Sequence, residues 1–352
     1  MRTNHPPLHT SNPLLAAGGL ALGLALGLAL TAAPASAQSK VGTAIGQFLL
    51  IEPSARAAGM GSAGVALADG IQAVYANAAA IGELESAGFQ LTHSEWFAEI
   101  DFDYVALAVP VGSNGNLLAS VTGLSSGEID VRTVDRPLGT GERYSVRDLA
   151  IGLGYGRHIT DRFSAGLQVK YLQETIWHSS LRTMTLDVGA LYALNGDGLT
   201  LGASLSNYGT KGRYRGRDLA IQYDNIPGQN GDNSALPGER LTDEFPVPVL
   251  FRVGLSYPHQ LNDHSQVLLA VDALHPSDNT ESLSLGAEWS WKRTLALRAG
   301  FQDLAREDTE TGLTMGAGLM ANMGARRLHF DYAWADHGRL QETHRMTVVL
   351  DF

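Results

Sequence analysis

No cysteine occurs in the 352 residues. A disulfide framework and a thiolate metal site are therefore excluded. Positive charge is scarce, with 25 Lys and Arg against 36 Asp and Glu and a formal net charge of −11. An acidic chain of this kind is a poor match for nucleic acid, so no nucleic-acid partner is expected. Catalytic signatures are missing too. No Ser sits in a GxSxG elbow, no His pair forms HExxH, and no metal-ligand spacing occurs. Gly152, Gly154 and Gly156 lie in a strand-like run and do not form a phosphate loop. The expectation is a non-enzymatic protein without a cofactor. Beyond Ala37 no apolar stretch reaches the ~18 residues that a membrane helix needs. Any membrane passage would have to be a closed β-barrel, because nothing else satisfies every backbone group in lipid.

What is present begins with an address. Arg2 is the only charged residue before Lys40, and an apolar run from Leu14 to Ala33 follows it. Ala35-Ser36-Ala37 then supplies a small-x-small cleavage site. Residues 1–37 read as a cleaved secretory signal peptide. The competing reading is a retained helix, since Gly19, Gly23 and Gly27 form a GxxxG ladder. No Cys follows the site, so it is not a lipoprotein signal. Cleavage removes one Arg and leaves a mature chain with a net charge of −12.

The mature chain alternates. In its last ten residues, Met346, Val348, Leu350 and Phe352 fall on one face, while Arg345, Thr347 and Asp351 fall on the other. Such a strand meets lipid on one side and a polar lumen on the other, and it is suited to close and signal assembly of a barrel. Thirteen further segments repeat the pattern, near 89–97, 103–111, 116–133, 145–156, 163–176, 181–194, 199–208, 248–257, 266–273, 282–291, 295–302, 311–322 and 327–335. An even total of fourteen, short turns on one side and longer links on the other predict an all-β outer-membrane protein, a 14-stranded antiparallel barrel over 89–352. Its expected partners are outer-membrane lipid and lipopolysaccharide. A soluble sandwich or propeller would also alternate, but no blade-length repeat is visible.

Residues 38–88 are not strand-like. Small residues dominate from Ser54 to Gly70, with Ser54 placed as a helix N-cap, and a second short helix is predicted from Ile71 to Ile81. A fourteen-stranded barrel is wider than its own side chains can fill. The segment is therefore expected as a lumenal plug, with a periplasmic arm as the alternative. Between strands seven and eight, 209–247 forms a long extracellular loop. If strand seven continues without a bulge, its basic run Lys211, Arg213, Arg215 and Arg217 would share the lipid-facing parity of that strand and meet lipopolysaccharide phosphates; the alternative is a solvated basic loop edge.

The N-terminal block carries a resemblance. Gly42, Phe48-Leu49, Ala55-Arg56-Ala57, Gly59-Met60-Gly61, Ala66-Leu67-Ala68-Asp69 and Tyr75-x-Asn77 look like the N-terminal signature of the PorV/PorQ family, relatives of the FadL-type long-chain fatty-acid transporters. Similarity continues through EWFAEIDFDYVALAVPV, DALHPSDN, LSLGAEW, LALRAGF, HFDYAWADHG and THRMTVVLDF. The resemblance implies a FadL-like barrel in the cell outer membrane, with Arg56, Gly59, Met60, Gly61, Asp69, Tyr75 and Asn77 as plug-motif residues. It further implies a carrier role in type 9 protein secretion. The partners would then be the translocon, the attachment complex and the C-terminal signal domains of cargo proteins. FadL-like relatives imply the alternative, transport of hydrophobic small molecules. One departure stands out. Asn77-Ala78-Ala79-Ala80 replaces the family's Asn-Pro-Ala-Gly, which points to a helical or relaxed turn there.

Overall fold

The computed structural model describes residues 42–352 apart from 69, 195, 197, 225–234, 307–308 and 325. The signal peptide and Asp69 lie outside the described residues. Fourteen strands form the wall: β1 Gly88–Trp96, β2 Ile100–Pro110, β3 Asn116–Ser125, β4 Val146–Thr160, β5 Phe163–Ile176, β6 Ser179–Ala193, β7 Thr200–Gly209, β8 Leu250–Asn262, β9 Ser265–Pro276, β10 Ser282–Trp291, β11 Leu295–Leu304, β12 Leu313–Met323, β13 Arg326–Asp336 and β14 Glu342–Asp351. Each pairs antiparallel with the next, and β14 pairs back onto β1 from Gly88↔Asp351 to Glu95↔His344. The barrel is closed, so the sheet has no free edge to leave unpaired in lipid.

The faces follow the alternation. Met346, Val348 and Phe352 are exposed on the outside, while Thr343, Arg345 and Thr347 are buried within. The same division holds on β5, where Leu167 and Val169 point out and Gln168 and Lys170 are buried in the lumen. This is an outer-membrane β-barrel, apolar outside and polar inside.

The sequence reading of the links needs three corrections. Strand three ends at Ser125 and not at 133, because Ile129–Asp130 turns away to pair with Arg143–Tyr144 in a separate hairpin. The loop side is not uniformly long: only 97–99 joins β1 to β2, and Trp177-His178 alone joins β5 to β6. The 209–247 link carries structure of its own, with Arg215–Gly216 added to β6 and Ala220–Tyr223 paired with Leu236–Glu239.

Leu153 and Leu138 test the outer surface. Leu153 on β4 is 66% exposed and Leu138 in the 126–145 loop is 96% exposed. Only the first faces hydrocarbon. Leu153→Arg is expected to cost ~2–4 kcal/mol, as for a charge near the bilayer midplane. Leu138→Arg should be neutral. Urea titration of both variants in lipid vesicles would measure this, and equal effects would refute the assigned membrane band.

Candidate functional site in the plugged lumen

The chain before β1 fills the barrel. Small residues let it do so. Ala55, Ala57, Ala58, Ala63, Val65, Ala73, Ala79 and Ala80 are all buried. The backbone breaks into short pieces at Gln47–Leu50, Ala55–Ala58, Ile71–Ala73 and Ala78–Glu83, of which only the second is α-helical. The expected longer helices do not form. The Ser54 cap is present, its hydroxyl accepting the Ala57 N–H at 3.2 Å. The helix then stops after one turn, where Gly61 and Ser62 take left-handed backbone with φ of 66° and 60° and the Ser62 N–H turns back to the Ala57 carbonyl.

Glycines on the lumen face of the strands make that approach possible. A Cβ at Gly166 would lie 2.0 Å from the Ala78 carbonyl oxygen, and one at Gly202 would lie 2.2 Å from that of Val65. Gly286 and Gly300 receive Met60 and Gly61 in the same way. The wall therefore carries a glycine-lined seat shaped to the plug backbone. In the sequence these positions read only as strand glycines. Their recurrence on the polar face, where a larger polar side chain would be ordinary, was the available signal.

Polar groups complete the seat. Arg56 forms a two-pronged ion pair with Glu288, at 2.9 Å to each carboxylate oxygen. Arg298 bridges Glu288 and Asp331 at 2.6 Å each. Gln72 donates to Asp331 at 2.7 Å and accepts from the Ser54 hydroxyl at 2.8 Å. The plug and the β10, β11 and β13 walls are thus joined by one continuous network. Elsewhere the Gly64 and Val65 N–H groups both donate to Asp272, each at 2.8 Å. Gly61 N–H donates to Thr314, and Ala55 N–H to Thr347.

The other described motif residues, Gly59, Met60, Asn77 and Tyr75, also belong to the plug and its seat. Gly59 packs against Gly316, and Met60 is fully buried beside Ala63 and Ala270. Asn77 uses its amide to donate to the Val65 and Ala190 carbonyls at 2.8 and 3.0 Å. Its oxygen caps the 3₁₀ turn by accepting from Ala79 N–H, so the Asn77-Ala78-Ala79-Ala80 run is helical. Tyr75 donates to the Leu49 carbonyl at 3.0 Å and stacks edge-on with Tyr104. Glu52, buried in the plug, is held above the usual carboxylate range by burial, against the opposing pull of Arg252, the Ser54 N–H and Arg345.

The two halves of the lumen differ in character. Toward the loops, Phe48, Leu49 and Ile45 of the plug pack against Phe102, Leu172 and Leu181 of the wall. Val247 joins them from the long link, and Tyr214 and Phe245 pack against the cluster. On the side of β2 and β4–β6 this half is apolar and filled, while Asp303, His337, Thr343 and Arg345 are buried polar groups on the opposite side. Toward the short turns lies a cavity of about 640 Å³, lined by Arg56, Gln72, Glu288, Arg298 and Asp331 together with Leu268 and others. The latch network is its ceiling. At mid-height the wall has a bulge between β6 and β7, where Ser206 and Asn207 stand unpaired opposite Asp187. Lys170 closes it from the lumen side, 2.8 Å from Asp187 and 2.6 Å from the Asn207 side-chain oxygen.

The predicted basic run is split by its contacts. Lys211, Arg215 and Arg217 are exposed and Arg213 is half-buried. Arg213 pairs with Glu244 at 3.4 Å. Arg217 donates to His178, which in turn meets Asp218 at 3.0 Å.

No family model matches the sequence, and no curated protein does. Solved structures do match. The monoaromatic hydrocarbon channel CymD aligns with a TM-score of 0.54 at 14% identity, covering 86% of this chain and 97% of its own. The Pseudomonas putida toluene transporter TodX gives 0.54 at 13%, covering 84% and 96%. The Ralstonia pickettii toluene transporter TbuX gives 0.52 at 15%, covering 85% and 97%. This chain has their fold. At such identity the likeness extends to the fold, a 14-stranded antiparallel β-barrel, and no further.

Proposed function

We propose that this barrel is an outer-membrane channel for hydrophobic small molecules, gated by its N-terminal plug. The observation that carries the reading is the apolar cluster between the plug and the β2 and β4–β6 wall in the outer half of the lumen. Porin-type lumens are polar and water-filled. Here aromatic and aliphatic wall side chains such as Phe102, Tyr104, Leu172 and Leu181 face plug residues that a solute of similar character could replace. The likeness in fold to channels named for toluene and monoaromatic hydrocarbons supports the same class of solute. Passage would require the plug to shift, because its seat and latch lie across the lumen.

A second reading, a carrier of exported proteins in type 9 secretion, is favoured by the loop side. Val134 and Leu138 are 99% and 96% exposed there, which suits contact with a protein partner.

The absence of native cysteine makes a clean test possible. Ala55 and Thr347 are in direct contact across the seam. Ala55→Cys with Thr347→Cys would bridge plug to wall under oxidation. Uptake of a monoaromatic hydrocarbon by cells carrying this variant should stop when the bridge forms and return with reductant. Uptake that ignores the bridge would overturn the gated-channel reading. Loss of cargo display on trimming 132–140, with uptake intact, would favour the carrier.

A further inference from the structure

The strand register brings together basic side chains that the sequence keeps far apart. Arg147 on β4 stands opposite Thr175 on β5, Thr175 opposite Ser180 on β6, and Ser180 opposite Arg215 of the long link. One pair lower, Leu149, Gln173 and Arg182 form the next row. Arg147 shares the outward parity of Leu149 and Ile151, and Arg182 that of Met184 and Leu186, all of them exposed. Arg147, Arg182, Arg215 and nearby Lys211 are themselves exposed. None of the four side chains has a hydrogen-bond or ion-pair partner among the described residues.

We infer that Arg147, Arg182 and Arg215 form a binding site for the phosphorylated sugar headgroup of lipopolysaccharide in the outer leaflet. Height is the first support. Tyr192 marks the lower aromatic end of β6, and Arg182 lies ten residues above it. At ~3.3 Å per residue on a strand tilted ~40°, that is a rise of about 25 Å, the height of the apolar band. Arg182 therefore stands at its upper edge, one pair above Tyr171 and Met184, with Arg147 and Arg215 in the next row.

Charge is the second support. On the same strands Asp148 and Glu174 take lumen-facing positions, and Glu174 is occupied by the Tyr214 hydroxyl at 2.8 Å. They do not neutralise the outer face. The nearest outward carboxylate in the row is Asp101, two strands from Arg147 with Ser125 between them. Spacing is the third. Arg147 and Arg215 are three strand intervals apart, about 15 Å at ~4.8 Å each. That span suits a disaccharide phosphorylated at both ends. Guanidinium groups fit phosphate with two parallel hydrogen bonds, which lysine cannot match. Gln173 and Thr175, linked to each other at 3.4 Å, supply neutral donors to the sugar.

Native mass spectrometry on the detergent-solubilised barrel tests the assignment, with heat-modified gel mobility confirming that each variant is folded. The wild type should bind purified lipopolysaccharide at least tenfold more tightly than the triple variant Arg147→Ala, Arg182→Ala, Arg215→Ala. Dephosphorylated lipopolysaccharide should bind the wild type as weakly as the variant binds the native lipid. The pair Arg213→Ala and Arg217→Ala should retain wild-type affinity, because those side chains are already engaged with Glu244 and His178. Equal binding by the triple variant would overturn the site. So would phosphatidylglycerol or inorganic phosphate binding as tightly as lipopolysaccharide.

Discussion

Arg298→Met is expected to release the plug. Arg298 is the only cation touching both Glu288 and Asp331 among the described residues, and all three side chains are nearly inaccessible. Removing it leaves Asp331 with only the Gln72 amide and leaves Glu288 to Arg56 alone. Breaking a buried ion pair by deleting one partner costs about 3–5 kcal/mol, because the other charge stays desolvated. The plug's own bonds from Arg56 and Gln72 remain, so the drive to release comes from the orphaned Asp331 charge, which water reaches fully only when the plug is displaced. The sequence provides its own reporter. Arg56 is the only Lys or Arg between Lys40 and Arg132. Trypsin should leave Arg56 intact in the wild type and cut after it in the variant. Adding Asp331→Asn removes the orphaned charge and should restore part of the protection. Full resistance in the single variant would mean that the latch does not hold the plug.

The wall was legible because a strand has a period of two and a membrane barrel needs opposite character on its two faces. Met346, Val348 and Phe352 could be assigned outward from alternation alone, and so could Leu167 against Gln168. The plug was legible only as a segment. Alanine favours helix in isolation, yet the plug's conformation is set by a wall that is close in space and distant in sequence. Arg56 meets Glu288 across 232 positions. No local pattern encodes such a pairing, since it depends on the register of β10 and on the depth of the plug. The same limit applies to the outer basic patch. Lys211 to Arg217 drew attention as a run, but two of its four members are engaged by neighbours. Arg147 and Arg182 were invisible as partners until strand pairing placed them beside Arg215.

The glycine seat gives the largest expected effect. Even a methyl group cannot be added at Gly166 or Gly189 without displacement, because the new carbon would lie 2.0 Å from the Ala78 carbonyl oxygen or the Asn77 side-chain oxygen. Ordinary contact needs at least 3.4 Å. Both clashes fall on the turn held by Asn77, so Gly166→Val with Gly189→Val should push residues 77–83 off the wall. The strand ladder should survive, because valine favours extended backbone and the new side chains point into the vacated lumen. The barrel would then assemble, keep its heat-modified mobility, become cleavable after Arg56 and conduct ions in a planar bilayer where the wild type is closed. Gly123→Val is the control, since a Cβ there meets nothing within 4 Å. A double variant that stays closed and protease-resistant would show that the plug is not held by the seat. A double variant that fails to assemble would show instead that the plug is part of the folding core. The two outcomes differ physically. In the first the wall accommodates the new bulk by bending. In the second, the buried contacts of the plug's small residues are needed before the strands can close.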